Sequence, residues 1–174
     1  SVHCFEPTPS TFAVLKKNIS SNKNIIINKN AVLNKNIEIE LNDYGLASSA
    51  FNSIKEARKN KYAVISRASK IKVKSIKLDD YVISKKLKPT LIKIDAESSE
   101  YSVLKGMDYI LRELKPKLCI ELGDLEVKGV LPSREIINFL NKEYGYKAYE
   151  MKAGKLKYHK LQDKYSYINL FFKK

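Results

Sequence analysis

Glycine, cysteine, histidine and arginine are scarce in this chain, and long apolar runs are missing. None of the six glycines stands in a G-x-G or G-x-G-x-x-G arrangement. A loop in which glycine lets the backbone approach a bound nucleotide is therefore not encoded. The two cysteines, Cys4 and Cys119, fall in predicted buried strands without a partner at metal-ligand spacing. They read as small core residues in a reducing compartment, which makes a cytoplasmic location the expectation. No apolar run approaches the ~20 residues a bilayer-spanning helix needs. The chain opens directly in strand-like sequence, with no leader pattern. Neither His3 nor His159 has an acid near it in sequence, so both read as surface or packing residues rather than catalysts.

What remains is ample for a folded domain. A chain of 174 residues with 44% hydrophobic and 30% charged residues fits one soluble globular domain spanning residues 1–174, with a substantial core. The formal charge of +14 raises a nucleic-acid reading. Only Arg58, Arg67, Arg112 and Arg134 are arginines among 33 basic residues, whereas phosphate-gripping sites favour the arginine fork. Lysine abundance accompanies a general Asn and Ile bias, so nucleic acid stands as an alternative and not the favoured partner.

The most informative stretch is Leu91–Gly106, L-I-K-I-D-A-E-S-S-E-Y-S-V-L-K-G. A short apolar strand ends in Asp95, Glu97 and Glu100. A helix follows, with Ser98 or Ser99 as cap and Glu100 in its first turn. Val103, Leu104, Met107, Ile110, Leu111 and Leu114 supply its apolar face up to Pro116. Carboxylates thus gather at the carboxyl edge of a sheet, where open α/β folds bind ligands. Taken alone, such acids are also ordinary helix-start residues.

Along the rest of the chain, V-H-C-F-E forms a strand ending at Glu6. Thr8 and Pro9 then start a helix with Phe12, Leu15 and Ile19 on one face. Asn24–Val32 reads as one strand with Asn30 and Ala31 at its exit. Ile37, Ile39 and Leu41 alternate as a half-exposed strand. Residues 52–67, basic and weakly patterned, are expected to form a mobile surface segment near the site, a candidate lid. Ile71–Lys74 alternates, and the slip at Ser75 predicts a bulge or strand end. Asp79 is expected to cap a short helix. Leu118–Leu122 is an apolar strand interrupted by Glu121, whose burial demands a partner or a ligand cleft. Ser133 is expected to cap a helix that Gly145 ends. Tyr146–Met151 and Tyr165–Phe172 complete an antiparallel C-terminal pair, joined by a lysine-rich loop.

The central stretch closely resembles the signature of the FkbM-type methyltransferase family: aspartate, a small residue, glutamate, glycine, any residue, glutamate, then V-L-K-G. Asp95, Glu97, Glu100 and Val103 to Gly106 match, while Ser98 stands where the family has glycine. F-E-P-x-P at Glu6, Gly45 to Ser49 and the Leu78-Asp79-Asp80 step also resemble the family. The resemblance implies a Rossmann-like class I methyltransferase sheet with helices on both faces, lacking its first strand here. It implies S-adenosylmethionine as cofactor and methyl transfer to oxygen on a small-molecule or glycan hydroxyl. Glu6 would hold the ribose, and Asn30 and Ala31 would flank the adenine. Asp95 and Glu97 would be catalytic, Asp95 as base or as orienter of the acceptor, with Glu100 and Glu121 on the acceptor side. Carboxylate oxygens suit Mg²⁺ or Ca²⁺, but no metal is assigned. The missing strand would lie between those ending at Glu6 and Asp95, leaving them about 10 Å apart. Those strands close up, a partner chain fills the slot, or the chain is N-terminally incomplete; its start in mid-fold favours the last. A non-catalytic binding module is the alternative function.

Overall fold

The computed structural model describes residues 1–54, 68–124 and 129–174. It is a mixed α/β structure with its strands in three sheets. β1 (Val2–Phe5) is followed by α1 (Pro9–Asn18) and β2 (Ile25–Asn28), and β1 and β2 pair in parallel. β3 (Ala31–Leu33), β4 (Glu38–Asp43) and β5 (Ser69–Lys77) form a second sheet ordered β3-β5-β4. The third holds β6 (Leu91–Ile94), β7 (Lys117–Leu122), β8 (Lys147–Lys152), β9 (Lys155–Tyr158) and β10 (Ile168–Lys173), ordered β6-β7-β10-β8-β9. Helices α2 (Leu78–Ser84), α3 (Glu100–Lys105) and α4 (Ser133–Tyr144), a 3-10 helix at Leu46–Phe51 and a π-helical segment at Ile110–Leu114 complete the described elements. No described helix is long and apolar enough to cross a membrane.

The core lies under the third sheet. Ile94, Leu118, Ile120, Leu122, Leu170 and Phe172 are buried against Leu78, Val82, Val103, Leu104, Ile137 and Leu140 of the helices. Opposed residues in a ladder share a face, because side chains alternate with period two. The registers Ile94↔Ile120, Leu170↔Ile120 and Phe172↔Ala148 put all these strand residues on one face. α2, α3 and α4 cover that face. Among the described residues, Leu91, Met151, Leu156 and Tyr158 on the opposite face are exposed. Of the helices expected on both faces, α2, α3 and α4 lie on the core face.

Several local expectations are corrected. Asn24–Val32 is not one strand: it divides at Lys29–Asn30 into β2 and β3, which join different sheets. β5 neither ends nor bulges at Ser75. It changes partners there, pairing with β4 as far as Lys74 and with β3 from Ser75 onward. Ser75 stays on the buried side because its hydroxyl is satisfied by the carbonyls of Lys35 and Ile37, at 2.7 and 3.0 Å.

Asp79 does not cap its own helix, where Lys77 holds the N-cap position. It is buried and accepts the N–H groups of Tyr109 and Ile110, both at 3.0 Å. It therefore caps the π-helical segment Ile110–Leu114 from a distance. The helix expected to run from the acidic turn to Pro116 is broken at Gly106. A Cβ at Gly106 would sit 2.3 Å from the Leu33 carbonyl oxygen, so β3 can pass only over glycine.

Ser133 is the first residue of α4, with Pro132 at the cap. Its N–H donates to Asp124 Oδ1 at 2.7 Å, so the capping carboxylate again comes from elsewhere in the chain. Gly145 ends α4 at φ +71° as expected. The C-terminal pair forms, β10 against β8, but the loop between them contains β9. Cys4 and Cys119 are free and half-buried rather than core residues. His159 is packed as expected. An acid is nonetheless near, with Glu150 Oε2 3.8 Å from Nδ1, while Nε2 meets the Tyr165 hydroxyl at 2.9 Å. Of the candidate lid, residues 55–67 lie outside the described residues.

Candidate functional site: an acidic cleft at the ends of β6 and β7

β6 runs out of the core at Ile94, and Asp95 is the first residue past its end. The parallel register Ile94↔Ile120 carries β7 alongside, so Glu121 comes up beside Asp95. The backbone then folds back sharply, with Glu97 at φ +41° and Ser98 at φ +72°. Both are left-handed conformations that glycine adopts freely and a β-carbon resists, at about 1–2 kcal/mol per residue. Ser98 is the position where glycine was expected. Three bonds hold the turn. Glu100 Oε1 accepts the Ala96 N–H at 3.0 Å, Ser99 N–H donates to the Ala96 carbonyl at 3.0 Å, and the buried Ser53 hydroxyl donates to the Glu97 carbonyl at 2.9 Å. Ser99 occupies the N-cap position of α3 without a side-chain cap bond. Glu100, the first residue of α3, instead ties the helix back to the turn through the Ala96 N–H.

Asp95, Glu97 and Glu121 each bring a carboxylate oxygen within 4.8 Å of the others. A shallow cleft, partly open to solvent, lies against Glu97, Ser98, Glu100, Glu121, Gly123 and Tyr167. Burial is the chief reason that the Glu97 carboxyl is pushed up to about 7; the charges of Asp95, Glu121 and Glu100 raise it further, and Lys93 opposes them. Burial also raises Glu100, against the pull of backbone N–H donors. Glu121 is raised by burial first, then by a hydrogen bond with Asp95 and its charge. Asp95 itself is half-exposed and ion-paired to Lys93 at 3.1 Å. Carboxylates this close share protons, and Glu97 is the one set to exchange its proton near neutrality.

The residues expected at a cofactor lie away from the acidic turn, on the two smaller sheets. Glu6 stands at the tip of β1, where its Oε1 accepts the Thr8 N–H at 2.7 Å and so shapes the entry to α1. Asn30 lies between β2 and β3, its amide 3.5 Å from the Lys74 carbonyl. Ala31 is buried with Leu41 and Val73 in a small second core. It can therefore offer a ligand only its backbone. Two neighbouring side chains connect these regions: Asn52 donates to the Thr8 hydroxyl at 3.2 Å, and Ser53 holds Glu97.

Ser53, Gly123 and Tyr167 are site residues that the sequence reading missed. Ser53 sits in weakly patterned sequence, and Tyr167 is far from the acidic turn along the chain. Only the acid Glu121, out of place in an apolar run, signalled that β7 contributes.

A crystal structure of Methyltransferase FkbM from Methylobacillus flagellatus superposes with a TM-score of 0.56 at 18% identity, over 98% of this chain and 36% of that one. At that identity the likeness speaks for the fold, and the chain spans little more than a third of that protein's length. No curated protein matches the chain. The family described as Methyltransferase FkbM domain matches residues 1–148, a span that includes the tip of β1, the acidic turn and Glu121; the chain belongs to the FkbM methyltransferase family.

Proposed function

We propose that this chain is the acceptor-side portion of an S-adenosylmethionine-dependent methyltransferase that methylates a hydroxyl oxygen, with Glu97 as general base. The observation that carries the reading is the Glu97 carboxyl at about 7 in the acidic cleft. A base of that affinity is partly ionised at neutral pH and still draws a proton from a hydroxyl in the transition state. Asp95, fixed by Lys93, orients the acceptor. Glu121 lines the acceptor side, and Glu100 keeps the turn in place through Ala96. Most of the remaining acceleration comes from holding acceptor and methyl donor in line.

The residues present fit the nucleoside half of the cofactor. Glu6 is a carboxylate at a strand tip with one oxygen engaged by Thr8, which suits ribose hydroxyls, with Asn30 and the Ala31 backbone toward the adenine. Bound there, the cofactor supplies a sulfonium methyl group. The glycine turn that would hold its amino-acid half is not among these residues. Among the described residues β1 pairs only with β2, and β6 only with β7, which supports a slot between β1 and β6 for a further strand in a Rossmann-like sheet.

Calorimetric titration with S-adenosylhomocysteine is the first test of the cofactor reading. Micromolar binding supports it; no binding to a demonstrably folded chain favours the second reading, a binding module without catalysis, to which the absent glycine turn points. Where turnover is measurable, the rate rises with pH through about 7 and falls at least a hundredfold in Glu97→Gln. A larger loss in Asp95→Asn than in Glu97→Gln would reverse the two roles.

A further inference from the structure

The peptide that joins Glu97 to Ser98 is strained from both sides. Glu97 at φ +41° and Ser98 at φ +72° are successive left-handed residues, and neither is glycine. Such conformations persist only where the surrounding structure over-determines them. The bonds at Ala96 close the turn around this peptide without touching it: Glu100 Oε1 takes the Ala96 N–H, and Ser99 N–H reaches the Ala96 carbonyl. The Glu97 carbonyl belongs to the strained peptide itself, and the Ser53 hydroxyl donates to it at 2.9 Å. Turning that peptide over would swing Ser98 out of the left-handed region, which a β-carbon favours, and would break the Ser53 bond.

Ser53 can hold the peptide because it is itself held. It is buried, and its backbone bridges to Asn42 near the end of β4, its N–H donating to the Asn42 carbonyl at 3.2 Å. The Ser53 carbonyl accepts the Asn42 N–H at 2.9 Å and the Asn42 side-chain amide at 3.1 Å. Asn52, next to it, is engaged at both ends of its amide. Its Oδ1 accepts the Tyr44 N–H at 2.8 Å, and its Nδ2 donates to the buried Thr8 hydroxyl at 3.2 Å. Thr8 N–H donates in turn to Glu6 Oε1. The anchor of the acidic turn is thus built from the elements that carry the candidate ribose acid.

We infer that Ser53 is a positioning residue for Glu97: its hydroxyl fixes the peptide that follows Glu97, so that the carboxyl is presented to the cleft in one orientation. The inference rests on the reading of Glu97 as base, and it names what keeps that base in place on a strained turn. Ser53 acts through the backbone and touches no reacting atom. Around the Glu97 carboxyl stand Asp95, Glu121, Glu100 and Lys93; with the peptide turned over, the carboxyl leaves this burial for solvent.

Two NMR readouts on the full chain test this, and neither needs cofactor or turnover. The cross-peak between the N–H and Hα of Ser98 is strong only while φ is positive, and the carboxyl carbon shift of Glu97 follows its titration. In Ser53→Ala the Ser98 cross-peak is expected to weaken severalfold. The Glu97 midpoint, about 7 in the natural chain, is expected to fall by at least about one pH unit as the carboxyl gains solvent. Ser53→Thr keeps the hydroxyl and is expected to retain both values. Ser75→Ala removes another buried hydroxyl bonded to carbonyls, and is expected to leave both unchanged. If circular dichroism shows that Ser53→Ala does not fold, Ser53→Cys, close in size and a weak donor, is expected to give the same changes. An unchanged cross-peak and midpoint in the folded variant overturn the inference. So does loss of both in Ser53→Thr, or an equal change in Ser75→Ala. A natural-chain midpoint near 4.5 overturns the base reading; the hold of Ser53 on the turn is overturned separately, by an unchanged Ser98 cross-peak, so the two failures are told apart.

Discussion

Helices α1, α3 and α4 each follow a strand, yet they are held very differently. α3 buries Val103 and Leu104, and α4 buries Ile136, Ile137, Leu140 and Tyr144. α1 has no buried residue, although Phe12, Leu15 and Ile19 recur at helical spacing. The difference lies in what each helix meets. α3 and α4 pack on a five-stranded sheet with a continuous apolar face, while α1 belongs to a two-stranded sheet whose two outer edges are unpaired among the described residues. A hydrophobic stripe stabilises only as far as there is apolar area to receive it. The side chains of β1 reach the main core through Tyr81, with His3 Nδ1 2.7 Å from the Tyr81 hydroxyl and the Phe5 ring 5.0 Å from the Tyr81 ring. The candidate base therefore stands on the well-anchored part, and the candidate ribose acid on the loosely anchored one.

The largest effect that would test this contrast is a matched pair of truncations. Leu104→Ala, at a fully buried position, should cost about 3 kcal/mol in urea unfolding, and Leu15→Ala on α1 less than about 1 kcal/mol. Similar losses would show that α1 is anchored as firmly as α3. Next in size is Asp79→Ala, which leaves the N–H groups of Tyr109 and Ile110 without their acceptor. A loss of about 2–3 kcal/mol is expected, because a buried donor left unpaired costs its full desolvation. Asp80→Ala, at an exposed neighbour that accepts the Asn36 amide and pairs with Lys77, serves as the control and should cost less than about 1 kcal/mol.

A smaller effect comes from Glu97. Its folded-state carboxyl is raised from 4.5 to about 7, so the folded state holds the proton more tightly than the unfolded state does. The associated stability is full below about pH 4.5 and is lost as pH rises through about 7. Glu97→Gln, which cannot ionise, should therefore gain stability over the natural chain as pH rises from 5 to 8. After allowance for solvent screening of this partly exposed group the gain is about 1–2 kcal/mol. Melting curves across that range read it directly, and a constant difference would remove Glu97 as the titrating group.

The smallest effect expected is a stabilisation. Ser98→Gly relieves a left-handed residue at φ +72° and should add up to about 1 kcal/mol at pH 5, with the greater backbone freedom of glycine in the unfolded chain offsetting part of the gain. A loss there would mean that the Ser98 side chain does more in the cleft than line it.

The sequence made the acidic turn legible because its parts are local. A strand, three carboxylates within six positions and a helix start are all readable from spacing, and so was the acid interrupting β7. Capping was only half legible. Asp79 and Glu100 had the right chemistry, but their recipients are set by packing: the N–H groups of Tyr109 and Ile110 for one, the Ala96 N–H for the other. Ser75 misled in the opposite direction, since a polar residue in an alternating strand looks like an end until its carbonyl partners are known.

By itself, then, the sequence determined the alternation of strands and helices, the positions of the acids and the family to which they belong. These follow from period, turn chemistry and local spacing. Only the tertiary structure decided that Glu97, Glu121 and Asp95 form one cluster, that Gly106 is required by the Leu33 carbonyl, and that α2, α3 and α4 share one face of the five-stranded sheet. Each of these is a distance between residues far apart in the chain, set by strand register and backbone packing, on which local pattern is silent.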